Sequence, residues 1–157
     1  MRQSDLALIL IRLMYDGEPH LLLNRHKKWG DWSLPGGHVE PEERGAWWRT
    51  AAREADEELA PLRTDVDFIL SPLTDILKPM TWGPVESRSA GEPTMYRAQV
   101  FLLQFMREPL ACIEQLPASE FQLVRESEIA HSTFDMDMSL VERVLVSVPP
   151  RQLSWIR

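Results

Sequence analysis

Ala46 to Leu59 constrains this chain most, because it must form a helix with two faces of opposite character. Trp48, Ala52, Ala55 and Leu59 recur at the i, i+4, i+7, i+11 spacing of a stripe buried against a core. Glu54, Glu57 and Glu58 fall within roughly a 100° arc of a different face. Such a helix can pack on a sheet and still display three clustered acids. Left alone, the cluster is unfavourable: like charges at i, i+4 cost about 0.2–0.5 kcal/mol per pair. Glu57 and Glu58 also lie near the helix C-terminus, where the macrodipole favours cations. Two local rules broken at one place point to function. A divalent cation would turn the repulsion into coordination, and oxygen-only ligands select Mg²⁺ or Mn²⁺ over Zn²⁺. From the helix alone, a solvated acidic face accounts for the same residues equally well.

The residues upstream favour the metal. Leu34-Pro35-Gly36-Gly37-His38-Val39-Glu40 lies shortly before the helix. Paired glycines permit backbone shapes closed to other residues and let a carbonyl approach a ligand closely. A loop of this kind, packed on the acidic face, can add a backbone oxygen to a metal shell.

Together with Arg53-Glu54-Ala55-Asp56-Glu57-Glu58-Leu59, this loop resembles the Nudix box: Gly, five residues, Glu, seven residues, Arg-Glu, an apolar residue, any residue, Glu-Glu, any residue, Gly. The resemblance covers roughly 30 residues. It implies an α/β fold of Nudix type, an α/β/α sandwich whose mixed β-sheet is flanked by helices and carries a loop–helix–loop metal site. It also implies Mg²⁺-dependent hydrolysis of a phosphoanhydride bond in a nucleotide-like diphosphate, either a nucleoside triphosphate or a nucleoside diphosphate linked to another moiety. Under it, Glu57 and Glu58 are metal ligands together with the Gly36 carbonyl. Glu54 is a third ligand or the base that deprotonates water. Gly37, Glu43 and Arg53 support the site, with Glu43 expected to hold Arg53 and Glu42 the second choice.

Three positions depart from the box. Nine residues separate Glu43 from Arg53 instead of seven, so counting back from Arg53 lands on Gly45. Leu59 and Ala60 stand at the closing any-residue and glycine positions. Ala60 removes a helix-ending glycine, and Pro61 can stop the helix instead. No box carboxylate is lost, which favours an enzyme over a non-catalytic Nudix-fold module that binds a nucleotide or regulates a partner. An acidic helix in an unrelated α/β domain would leave the glycine pair without a role.

The rest of the chain sets the frame. Its 157 residues suit a single domain over 1–157. No apolar run approaches the ~20 residues of a membrane span, and the start lacks a signal-peptide pattern, so a cytoplasmic protein without membrane contact is expected. A net charge of −7 argues against a duplex DNA surface, which is normally basic. It leaves a small anionic substrate open, because a bound cation reverses the local field. The sequence permits a homodimer without requiring one. Cys112, the only cysteine, reads as a small buried apolar residue.

Leu6 to Met14 reads as one buried strand and Leu21 to Leu23 as its hairpin partner across Asp16-Gly17. Val66 to Leu77, Tyr96 to Met106 and Phe121 to Val124 read as further strands. Lys78 to Pro93, with three prolines and two glycines, reads as a long loop. Ser139-Leu140-Val141-Glu142 is a capping box for a last helix, whose apolar face is Leu140, Val141, Val144, Leu145 and Val148.

Secondary candidates are few. Arg25, in Arg25-His26-Lys27-Lys28, can meet substrate phosphate. Trp29, Trp32 or Trp82 can stack on a base, with core packing the commoner role. Glu86 and Glu92 are loop acids that can supply the base. His131, Asp135 and Asp137 read as capping and turn groups before a second metal site.

Overall fold

A computed structural model describes residues 1–28, 30–73, 78–87, 90–129 and 138–156, and for residues 138 and 139 the backbone alone. The expected strand Leu6 to Met14 divides into β1 (Arg2–Leu10) and β2 (Arg12–Tyr15), which belong to different sheets. Both faces of the run are buried, which is why it is continuously apolar. Leu8 and Leu10 join one core cluster, while Ile9 and Ile11 join another. β2 turns through Asp16 and Gly17, both at positive φ, into β3 (Glu18–Arg25). Two positive φ values are what a tight hairpin turn requires.

β3 also pairs with β4 (Trp32–Ser33) and β9 (Phe121–Arg125), completing an antiparallel sheet. The other sheet is mixed. β1 runs parallel to β8 (Pro93–Phe105) and antiparallel to β5 (Gly36–His38). β6 (Phe68–Pro72) and β7 (Met80–Glu86) pair with β8 on its other side. Leu8 thus lies between Gly36 and Val100, which fixes the row of the sheet that carries the glycine pair.

α1 (Trp47–Glu58) covers one face, with Ala55 and Leu59 packed among Ile9, Ile11, Phe68 and Leu103. α4 (Met138–Ser147) covers the opposite face through Val141, Val144 and Val148 against Leu8, Leu10, Val100 and Leu102. The result is an α/β/α sandwich with a mixed sheet. Two short helices, α2 (Pro109–Ile113) and α3 (Glu126–Ile129), complete the described elements. Among the described residues no helix is long and apolar enough to cross a membrane.

Four expectations need correction. Trp48 is 61% exposed, and the buried line of α1 is Thr50, Ala51, Ala55 and Leu59. Trp47 is the aromatic that packs inward, against Ala7, Ala51 and Phe101. Successive helical residues point about 100° apart, so burying Trp47 turns Trp48 outward. Lys78 to Pro93 is not all loop: β7 occupies much of it as an edge strand, with a register shift between Trp82 and Val85 that absorbs Gly83 and Pro84. β6 ends at Pro72, short of the expected Leu77, and residues 74–77 lie outside the described set. α4 already includes Met138, so Ser139 lies inside the helix and is not its cap. Cys112 is fully buried, the small apolar filler its sequence context suggests.

Candidate functional site

Glu43 ends a single 3₁₀ turn (Pro41–Glu43) and is 6% exposed. Its carboxylate accepts hydrogen bonds from Arg53 Nε (3.0 Å) and Nη2 (3.1 Å), Thr50 Oγ1 (2.9 Å) and the Glu40 backbone N–H (3.1 Å). Hydrogen bonding by the Arg53 guanidinium, foremost, pushes its pKa down to about 2. The extra residues of the box form an outward bend. Gly45 has φ +80° and faces open space, and Ala46 N–H returns to the Glu43 carbonyl at 2.9 Å. The lengthened connection therefore leaves the Glu43–Arg53 clamp intact.

The same guanidinium reaches further. Nη2 donates to the His38 carbonyl at 3.1 Å, and Nη1 to Glu54 Oε1 at 3.1 Å. Nη1 also lies 3.6 Å from Glu57 Oε2 and 3.8 Å from Glu40 Oε1. One arginine thus ties the glycine strand, the 3₁₀ turn and the acidic ridge together.

Backbone forbids a side chain at Gly36, and the Glu54 side chain occupies the space at Gly37. Gly36 has φ +143°, and a Cβ there would run into the Ala7 carbonyl of β1. A Cβ on Gly37 would strike the Glu54 carboxyl group. The bare Gly37 backbone is the surface against which Glu54 rests. Glu58 Oε2 accepts from Gly36 N–H (3.2 Å) and Asn24 Nδ2 (3.0 Å). Burial, then the charge of Glu54, pushes the Glu58 pKa up to about 8, and burial likewise raises that of Glu54. The pair holds more negative charge than its surroundings tolerate and retains a proton in compensation.

The three acids are not equivalent. Glu54 and Glu58 come together beneath the glycine strand. The Glu57 side chain is 58% exposed and leans on Arg53. Among the described residues no three His, Cys, Asp or Glu side chains are gathered into a finished metal shell. The donor set still fits a hard divalent cation. It is all oxygen, its buried pair carries charge that a cation would neutralise in place of the proton, and Glu57 is an exposed side chain one turn from Glu54.

Other candidates fall elsewhere. Arg25 donates from Nε to the Gly30 carbonyl at 3.0 Å, within its own loop. It follows Asn24 in β3 and so projects from the opposite face. The structure does not bring it to the carboxylates. Trp32 is a core residue, and Trp82 stacks on Tyr96. Glu86 pairs with Pro93, seven residues along β8 from the Val100 row. At ~3.3 Å per residue that is about 23 Å along the strand from the row of the glycine pair, and Glu92 lies one residue beyond Pro93. Neither acid reaches the site. Trp29, His131, Asp135 and Asp137 lie outside the described residues. Two site residues carry no signal that sequence reasoning could use. Asn24 looks like the start of a polar loop, and Thr50 like an ordinary helix residue.

The sequence matches the NUDIX domain family over residues 5–130. No curated protein matches the chain. Solved structures share the fold. Shewanella oneidensis NrtR complexed with a 27mer DNA has TM-score 0.59 and 15% identity, over 90% of this chain and 59% of that one. C. elegans Ap4A hydrolase has TM-score 0.57 and 20% identity, over 93% and 98%. A mutT/nudix family protein from Listeria innocua has TM-score 0.59 and 18% identity, over 92% and 91%. The chain thus spans well under two thirds of NrtR and nearly all of the other two. With the match running across the glycine strand, the Glu43–Arg53 clamp and the acidic helix alike, this chain belongs to the NUDIX domain family.

Proposed function

We propose that this protein is a pyrophosphohydrolase: with Mg²⁺, or Mn²⁺ in its place, it cleaves a phosphoanhydride bond in a nucleoside triphosphate or in a nucleoside diphosphate linked to another moiety. One observation carries the reading. Two buried carboxylates, Glu54 and Glu58, are pressed together against a glycine strand, and a bound cation would offset their repulsion without the retained proton. Glu58, Glu57, Glu54 and the Gly36 carbonyl would hold the ion. Bound there, it supplies charge withdrawal from the diphosphate oxygens and a more acidic water.

The chain's own groups do the rest. Asn24 and the Gly36 N–H hold one Glu58 oxygen and leave its partner oxygen for the ion. Arg53, anchored by Glu43, fixes Glu54 from the side, and Glu57 would exchange its contact with Arg53 for the ion. Glu54 is a third ligand or accepts the proton of the attacking water at its carboxylate. The working unit is the single domain, in the cytoplasm, acting on a small molecule and not on duplex DNA or a membrane. It is open to homodimerisation.

A second reading is a non-catalytic nucleotide-binding module, and the outward Glu57 favours it. One experiment separates the two: a panel of nucleoside triphosphates, nucleotide sugars, dinucleoside polyphosphates and ADP-ribose, assayed with Mg²⁺, with EDTA and with Glu57→Gln. The proposal expects turnover of at least one compound, lost in EDTA and reduced by orders of magnitude in the variant. Metal-dependent binding without turnover of any compound supports the module, and turnover that survives both perturbations refutes the mechanism.

A further inference from the structure

β2 lies at the edge of the antiparallel sheet and pairs with β3 on one side only. Arg12 turns its backbone outward: its carbonyl accepts from Ser154 N–H at 2.8 Å, and its N–H donates to Ser154 Oγ at 2.9 Å. Backbone groups alternate along a strand, so those of Met14 point the same way. Its cross-strand neighbour Pro19, which has no N–H to give, agrees with that alternation. Among the described residues no backbone group meets Met14 on its outer side. The edge lacks the usual defences: no lysine, proline or bulge interrupts Arg12–Tyr15, and the Arg12 charge is buried on Glu126. Beside this edge lies a cavity of about 370 Å³ whose walls include Met14, Tyr15, Leu110, Trp155 and Ile156. Met14 is 54% and Ile156 75% exposed, and Tyr15 and Leu110 are exposed as well. Among the described residues Glu108 is the only charged one in the wall, and both its oxygens cap α2 through the Leu110 and Ala111 N–H groups. The surface therefore offers no uncommitted charge to a basic or acidic ligand. An extended peptide would find one open backbone position, because Ser154 already holds Arg12. A second copy needs no more than that, since antiparallel edges meeting about a two-fold axis pair one position with itself. At ~200 Å² for a large side chain, the exposed parts of Met14, Tyr15, Leu110 and Ile156 amount to roughly 400 Å². Two such patches, at the two-thirds apolar share of a homodimer interface, imply about 1,200 Å² buried in all, where specific interfaces begin.

We propose that this surface joins two copies of the chain, with their β2 edges antiparallel across a two-fold axis at Met14 and Ile156 of each copy seated in the groove of the other. The N–H and carbonyl of the two Met14 residues then bond each other, and the two antiparallel sheets become one. Tyr15 and Trp155 supply aromatic walls, the side chains that carry most energy in such contacts. Tyr15 pairs with Glu18, six residues along β3 from Asn24. The interface thus lies roughly 20 Å from the carboxylates and leaves them open. Association across an area near the lower bound should be micromolar, on the order of 10 μM.

The test is sedimentation velocity on the full chain from about 1 to about 200 μM. The mass should rise with concentration from 18.2 kDa toward twice that value. Met14→Glu and Ile156→Glu should each raise the dissociation constant at least about tenfold, with a Tm at about 1 μM within about 2 °C of wild type. A second measurement locates the axis. Paired Met14 positions would lie about 5.5 Å apart between Cα atoms, within disulfide reach. Met14→Cys should therefore form a covalent dimer on mild oxidation, while Val146→Cys, 88% exposed on α4, should not. The native Cys112 is fully buried and stays out of the reaction. A chain that remains at 18.2 kDa throughout overturns the proposal, whether or not its groove then takes up an apolar peptide or small ligand. So does a dimer that both glutamate variants leave unchanged, or one in which Met14→Cys fails to cross-link.

Discussion

Replacing Glu43 with Gln tests the clamp that assembles the site, because the change removes charge at nearly constant volume. Oε1 of Glu43 accepts three hydrogen bonds, from Glu40 N–H, Thr50 Oγ1 and Arg53 Nη2, while Oε2 accepts only Arg53 Nε. A glutamine keeps its oxygen at the first position and places an amide NH₂ against the Arg53 Nε–H, donor to donor. One charge-assisted bond, worth about 1.5–3 kcal/mol, is lost and another becomes neutral. Arg53 is 26% exposed and keeps Glu54, Glu57 and Glu40 within 3.8 Å, so the cost stays below the 3–5 kcal/mol typical of a fully buried broken pair. We expect about 2–3 kcal/mol, read as a lower urea midpoint at pH 7 in EDTA. The sign with pH follows from the depressed pKa. Glu43 contributes stability fully above its ordinary 4.5 and loses it as pH falls toward about 2. Glutamine does not titrate, so the gap between wild type and variant should narrow progressively below pH 4.5. Equal midpoints at pH 7, or a gap that persists unchanged into acid, would refute the clamp.

Three further perturbations separate stability from function. Glu58→Gln should stabilise the metal-free protein by about 1–2 kcal/mol at pH 8, since the amide oxygen can keep the Asn24 and Gly36 bonds without the buried charge. Because the Glu58 pKa is raised from 4.5 to about 8, the folded wild type holds the extra proton and loses stability as pH rises through that window. The variant's advantage should therefore grow from pH 5 to pH 8, and an advantage that shrinks would contradict the geometry. It should also abolish the rise in Tm that added Mg²⁺ gives the wild type. Gly37→Ala should fold with a Tm within a few degrees of wild type, because the added methyl meets the flexible end of Glu54, yet lose at least tenfold in kcat/KM. Activity at the wild-type level in that variant would show that the position of Glu54 is unimportant. Arg12 is 4% exposed, bonds Glu126 at 2.5 and 2.9 Å and holds the Pro149 carbonyl. Arg12→Met should cost about 3–5 kcal/mol in chemical denaturation, and Glu126→Leu added to it should recover part of the loss. Additive losses would show that the pair is not coupled.

Much of the site could be read along the chain because its chemistry is local. Arg53, Glu54, Glu57 and Glu58 lie within two turns of one helix, and helical periodicity alone puts them on one ridge, apart from the line through Ala55 and Leu59. The paired glycines announce a close backbone approach, which proves to be that of Glu54 to Gly37 and of Ala7 to Gly36. The apolar runs likewise locate strands, since burial on both faces leaves no polar alternation to obscure them.

Composition and spacing could not supply what depends on residues far apart in sequence. Whether Leu6 to Met14 is one strand or two is decided by Ile11, where the chain passes from one sheet to the next to keep both of its faces covered. Trp47 and Trp48 are equivalent by type, and only the packing of α1 against Ala7 and Phe101 selects the one that is buried. The choice of Glu43 over Glu42, and the harmlessness of the two added residues, rest on an outward bend at Gly45 that no residue count reveals. Asn24 joins Glu58 across 34 positions because β3 passes beneath the end of α1. The sequence by itself determined which groups are present and which helix carries them. Tertiary packing decided which carboxylates face each other, since burial and Coulomb repulsion act on distances in space and not on distances along the chain.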